Sequence, residues 1–188
     1  FVSRVFPDAD LVHLIRDGRE VVASSLRQWG LPIDQSYLLG KLRAFSVRNY
    51  KYAFWYAVNR IRGTTGRDGR VAIWGVRYAG IEEDLRTQSL AEICARQWLA
   101  SVTSVREAAA RLPGIRLHEI RYESLLESPT ALKELAGWLG LRDIDSVIRR
   151  YSDTLRPHAG EPWNGQLEPR DTSAVSGIIG PLQAELGY

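Results

Sequence analysis

An apolar run that feeds directly into a helical pattern constrains this chain more than any other feature. Asp10-Leu-Val-His-Leu-Ile-Arg16 is short and mostly apolar, is reached through the turn-like Phe6-Pro7-Asp8-Ala9-Asp10, and predicts a buried strand. From Asp17 onward the apolar residues fall at Val21, Val22, Leu26 and Trp29, a helical spacing that Gly30-Leu31-Pro32 brings to an end. A strand delivered into a helix with no linker between them is the building unit of an α/β domain.

The rest of the chain repeats the alternation. Residues 35–61 carry a helical pattern crowded with aromatics, including Tyr37, Phe45, Trp55 and Tyr56, before Gly63-Thr-Thr-Gly-Arg-Asp-Gly69 breaks it. Val71 to Trp74 predicts a second short strand, followed by a loop holding Tyr78-Ala79-Gly80. Ser89 and Glu92 form the two ends of a capping box, which predicts a long helix through Leu112 stopped by Pro113-Gly114. Ile115 to Arg121 alternates as a strand does, and Tyr122 to Pro129 leads into a helix capped by Ser128, with Pro129 at its first position and Gly140 closing it. A short helix over 143–151, a Pro/Gly-rich loop over 156–165 and a last helix from about Asp171 complete the chain. The expected architecture is therefore α/β, a mainly parallel sheet flanked by helices, with helices outnumbering strands.

Composition narrows the class. The chain has 188 residues, 45% hydrophobic and 25% charged, which suits one soluble domain with a real core. The apolar run around Ala53 to Val58 falls far short of the ~20 residues a membrane-spanning helix needs. One cysteine, Cys94, allows no internal disulfide, and three scattered histidines make no compact zinc motif, so a reducing, cytoplasmic setting without a metal is expected. The net charge of +3 hides 22 arginines against three lysines. Arginine's planar fork suits phosphate or sulfate, although an arginine-rich codon bias would leave the same imprint. Because the arginines alternate with Asp and Glu, no basic stripe of the kind that tracks nucleic acid emerges. With no methionine and Phe1 as its first residue, the chain is expected to be a piece of something longer, with part of its sheet lying upstream.

The first strand-to-helix junction is the place where an α/β sheet collects ligands, and a helix starting there aims N–H groups at anions. Arg16 stands at the strand tip and Ser24, eight residues on, lies about two helical turns along, so both can converge on one phosphate. Asp17 reads as a helix cap and not as a catalyst. His13 and His118 sit within strands and read as packed or hydrogen-bonded, while Cys94, beside Ile93 and Trp98, reads as a small core residue. His158, in the loop near Trp163, is a candidate for the active site.

Phe6 to Ser24, with its Arg16-Asp17-Gly18-Arg19 wording, resembles the 3′-phosphate-binding element of sulfotransferases that use 3′-phosphoadenosine 5′-phosphosulfate (PAPS), most of all tyrosylprotein sulfotransferases and their bacterial relatives. Arg121-Tyr-Glu-Ser-Leu-Leu-Glu-Ser-Pro129 is similar to the family's strand-Tyr-Glu segment, and the Trp138-Leu-Gly-Leu141 helix end and the Trp163 loop are family-like as well. The resemblance implies a P-loop-like three-layer fold and a PAPS or adenosine 3′,5′-bisphosphate site in which Arg16 and Ser24 clamp the 3′-phosphate and Tyr122 meets the adenine. Trp163 matches the C-terminal cofactor loop, which here is less basic than the family's, with Arg156 and Arg170 as its nearest basic candidates. The acceptor would be a hydroxyl of a small molecule, glycan or protein tyrosine, with its specificity in a helical insertion over 30–87. The family's 5′-phosphosulfate loop has no counterpart here, and that loop and the general base are expected upstream of Phe1. A nucleotide-dependent phosphotransferase of related fold, or a non-catalytic domain derived from a sulfotransferase, are the alternatives.

Overall fold

A computed structural model describes residues 5–6, 8–30, 74–112, 114–154, 163 and 167–188. The expected helix over 35–61, the glycine break at 63–69, most of the strand at 71–74 and most of the loop over 156–165 lie outside the described residues. Trp74 itself is described, and it is not in a strand. Among the described residues no helix is long and apolar enough to cross a membrane.

The protein is a mixed, helix-rich α/β structure. In chain order it runs β1 (Asp10–Ile15), α1 (Gly18–Gly30), α2 (Ile81–Thr87), α3 (Leu90–Arg111), β2 (Arg116–Arg121), α4 (Tyr122–Glu127), α5 (Pro129–Trp138), α6 (Ile144–Thr154) and α7 (Pro169–Glu185). β1 and β2 pair in parallel, from Asp10 opposite Arg116 to Ile15 opposite Arg121. The parallel pairing meets the expectation, and the sheet has two strands among the described residues. β1 ends one residue earlier than predicted, leaving Arg16 just beyond the strand.

Side chains alternate across a strand, so the register sorts them by face. His13 and Ile15 share one face with Glu119 and Arg121; Val12 and Leu14 share the other with His118 and Ile120. On the first face lies the core, where Ile15 meets Val22, Ala23 and Trp29 of α1, Ala91, Cys94, Ala95, Trp98 and Val102 of α3, and Val175, Ile179 and Leu182 of α7. The spacings along α3 and α7 are the i, i+3, i+4, i+7 stripes that turn one helix face inward. On the second face Trp138, at the end of α5, stacks near His118 with ring centroids 5.0 Å apart. It covers β2 but not β1, and Val12 and Leu14 stay 42% and 50% exposed.

The caps act as the sequence predicts. Ser89 and Glu92 close a reciprocal capping box on α3, and Ser128 accepts from the Thr130 amide with Pro129 at the start of α5. Gly140 takes a positive φ of 69° just past α5, a turn conformation that favours glycine. Two elements differ from expectation. Tyr122–Glu127 is itself a helical turn rather than a lead-in, and α2 occupies a stretch in which no helix was predicted.

Candidate functional site

Parallel strands bring their C-terminal ends to the same edge of the sheet, so the residues that follow β1 and β2 must meet. Arg16 and Tyr122, 106 positions apart in sequence, do so: the Arg16 guanidinium lies 5.0 Å from the centroid of the Tyr122 ring. Arg16 also pairs with Glu20, at 2.8 Å from Nε and 2.6 Å from Nη2 to the same carboxylate oxygen. Ser24, half-buried on α1, stands one turn beyond Glu20, so Arg16, Glu20 and Ser24 fall at four-residue intervals along one side of α1 and its lead-in. Glu20, which the sequence reading passed over, therefore stands between the two proposed phosphate contacts. An anion on Arg16 would meet this carboxylate as a like-charged neighbour.

Asp17 is the N-cap of α1, as predicted. Its Oδ1 accepts from the Arg19 amide at 2.9 Å, so a carboxylate already occupies part of the helix N-terminus. Arg19 grips the same carboxylate through Nε and Nη2, the latter at 2.6 Å, and the Gln183 amide reaches Oδ1 at 2.6 Å. Burial alone would raise the Asp17 carboxyl. The hydrogen bonds from Arg19, the Arg19 charge and the bond from Gln183 outweigh it and hold the group below the usual carboxylate range.

The other face of Arg19 carries Trp163, whose ring centroid is 4.8 Å from the guanidinium carbon. Trp163, matched to the cofactor loop by resemblance, is thus joined to the same turn as Arg16, through Arg19. Arg156 and His158 lie outside the described residues. His13 and His118 are packed as expected: His13 Nδ1 is 3.0 Å from Glu119, whose carboxylate is also held by Arg106, and His118 is against Trp138. Cys94 is buried in the core, and that burial pushes its thiol up to about 12, which makes it no nucleophile at neutral pH.

A cavity of about 310 Å³ lies beside Arg16, lined by His13, Leu14, Ile15 and Arg16 together with parts of α1, α3 and residues 74–76. Because the last three residues of β1 and Arg16 just after them line it, it runs along the edge of β1, away from β2. Gln97, buried on α3, holds its far wall by donating to the carbonyls of Trp74 and Val76 at 2.7 and 2.9 Å.

The site also includes residues that the motifs alone do not flag. Glu123 receives the Asp17 backbone amide at 2.9 Å on one oxygen and the Tyr188 hydroxyl at 2.8 Å on the other. Glu20 could have been found from its four-residue offset from Arg16, and Glu123 from its place beside Tyr122. Gln183 and Tyr188 have no local signal, since their partners lie 166 and 173 positions away.

Chemically, this edge offers a guanidinium for an anion, an aromatic face for a planar base and a turn held rigidly from behind. Among the described residues there is no group of three or more side chains that could hold a metal ion. Comparison of the chain with protein-family models, curated proteins and solved structures finds no match.

Proposed function

We propose that this chain is the nucleotide-anchoring part of a PAPS-dependent sulfotransferase, an enzyme that moves a sulfuryl group from PAPS to an acceptor hydroxyl. The observation that carries this is the meeting of Arg16 with Tyr122 at the shared end of two parallel strands. The two residues matched separately to the 3′-phosphate and the adenine would each be within reach of one bound adenosine 3′,5′-bisphosphate. Ser24, one turn past Glu20, adds a hydroxyl on the phosphate side, and Trp163 borders the same turn through Arg19. In-line transfer asks the protein chiefly for positioning and for neutralising charge on the leaving phosphate. Arg16 serves the first of these by holding the nucleotide away from the reacting bond.

Glu20 adds to the cost of binding, because its carboxylate is a like charge beside the anion. Arg16→Ala is expected to weaken adenosine 3′,5′-bisphosphate binding by about 1.5–3 kcal/mol, the worth of a charged hydrogen bond. Calorimetry reads this directly, and unchanged affinity would overturn the assignment. Thermal shift then separates the alternatives. Stabilisation by adenosine 3′,5′-bisphosphate and not by ATP supports a sulfotransferase; stabilisation by ATP points to a phosphotransferase, and by neither to a non-catalytic domain.

A further inference from the structure

The turn between β1 and α1 consists of two residues, Arg16 and Asp17, and its backbone is held by side chains from distant parts of the chain. The Arg16 carbonyl accepts from the Trp98 indole at 3.1 Å. The Asp17 amide donates to Glu123 at 2.9 Å, and the Tyr188 hydroxyl sits 3.0 Å from the Ile15 carbonyl and 2.8 Å from the second oxygen of Glu123. Tyr188 is itself pinned, with Arg121 4.4 Å over its ring and bonded to the Gly187 carbonyl at 2.7 Å. Side chains therefore contact the backbone on both sides of the Arg16 Cα, with the single Tyr188 hydroxyl proton shared between the Ile15 carbonyl and Glu123.

A guanidinium on a long, many-rotamer side chain binds an anion well only when its stem starts from a defined place, because every degree of freedom left open must be frozen on binding. We propose that Glu123 and Tyr188 are positioning residues: by holding the Ile15–Asp17 backbone they aim Arg16 at the 3′-phosphate. This rests on Arg16 being the anion anchor proposed above. Neither residue has to touch the nucleotide. Glu123 is adjacent to Tyr122, so the same carboxylate also joins the start of α4 to the start of α1, and the phosphate and adenine contacts are set relative to each other through it.

The test uses the full chain, with wild type, Tyr188→Phe, Glu123→Ala and Glu123→Gln each made alone and on the Arg16→Ala background. Tyr188→Phe removes one oxygen and keeps the ring under Arg121, so it reports even if Glu123→Ala does not fold. Two quantities are read: hydrogen exchange at the Asp17 amide by NMR without ligand, and calorimetric affinity for adenosine 3′,5′-bisphosphate against adenosine 5′-phosphate. The second nucleotide lacks the 3′-phosphate, so the ratio isolates what Arg16 contributes.

Tyr188→Phe is expected to speed Asp17 exchange and to weaken adenosine 3′,5′-bisphosphate binding about five- to tenfold while changing adenosine 5′-phosphate less than about twofold. Glu123→Ala goes further in the same direction. Glu123→Gln, which keeps an oxygen for the Asp17 amide, recovers most of the loss. On the Arg16→Ala background the other substitutions add nothing, because the group they aim is gone. The proposal is overturned if both nucleotides weaken together, if the losses add to that of Arg16→Ala, or if Asp17 exchange is unchanged. A wild-type chain that fails to bind adenosine 3′,5′-bisphosphate overturns the nucleotide assignment itself and this proposal with it. Normal wild-type binding with any of the three adverse results overturns the proposal alone.

Discussion

Asp17 meets two opposing demands: it is buried at the centre of the polar edge of the sheet, yet it must stay ionised to cap α1 and hold Arg19 and Gln183. The partners win, and the carboxyl titrates below its ordinary value of 3.8. A carboxyl lowered by folding contributes stability that is present above its unfolded pKa and lost as pH falls through its folded one. Glu119, held by Arg106 and His13, is lowered from 4.5 and acts in the same direction. Resistance to urea should therefore weaken as the pH falls below about 4. Asp17→Asn should cost about 1–3 kcal/mol at pH 7. That gap should narrow in acid, since only the wild type has a proton to gain; a gap that stays constant down to pH 3 would show that Asp17 is not the titrating group. The capping role of Asp17 was legible because a cap acts on an amide two residues away. Its link to Gln183 was not, because no local pattern encodes a partner 166 positions off.

At the scale of elements, α1, α3 and α7 pack closely enough that one glycine carries the contact. A Cβ on Gly18 would stand 2.8 Å from Ile179 Cδ1 and 3.0 Å from the Trp98 ring. The isoleucine tip can move, but the indole is bonded to the Arg16 carbonyl and cannot swing away without releasing the turn. Gly18→Ala is expected to destabilise by about 1–3 kcal/mol, the usual cost of overpacking. Gly177, inside α7, faces open space, so Gly177→Ala should instead stabilise by about 0.5–1 kcal/mol through helix propensity. Denaturation of the two variants side by side checks the sign of each, and a stabilised Gly18→Ala would refute the close packing. The helices with a long apolar stripe or a side-chain cap, α1, α3 and α5, could be read from the chain. α2 could not, because seven residues with only Ile81 buried make no stripe; its signals were Gly80, at a φ of 91°, and the acidic run Glu82-Glu83-Asp84.

For the whole molecule, the contacts that tie the site's elements to one another are long-range. Residues 10–17 bond to residues 116–123, and residues 183–188 return to residues 15–17, so no single segment contains a site that could form alone. Local patterns could place Arg16 and Tyr122 at strand ends, and parallel pairing then required them to meet. The C-terminal segment's part in holding the turn could come only from the folded chain. Arg106 on α3 shows the same closure from another side, bridging Glu119 of β2 and Glu185 of α7. The last residues are therefore structural partners of the first strand. Removing residues 183–188 would leave the Asp17 carboxylate and the Ile15 carbonyl without their distant partners and strip Leu186 and Tyr188 from the edge of the core. Asp17 would keep Arg19, so the loss is of the Gln183 and Tyr188 hydrogen bonds, about 0.5–3 kcal/mol each, together with the apolar contacts of Leu186 and Tyr188, against a net stability of about 5–15 kcal/mol for a domain. The shortened chain is expected to lose a large share of that stability and with it a single sharp unfolding transition. In the full chain, tryptophan fluorescence and far-ultraviolet circular dichroism should report one coincident urea transition, since Trp98 sits at the junction of strand, turn and helix. In the shortened chain fluorescence should change first, as the turn releases before the helices melt; coincident transitions at an unchanged midpoint would show that the C-terminal residues do not close the fold.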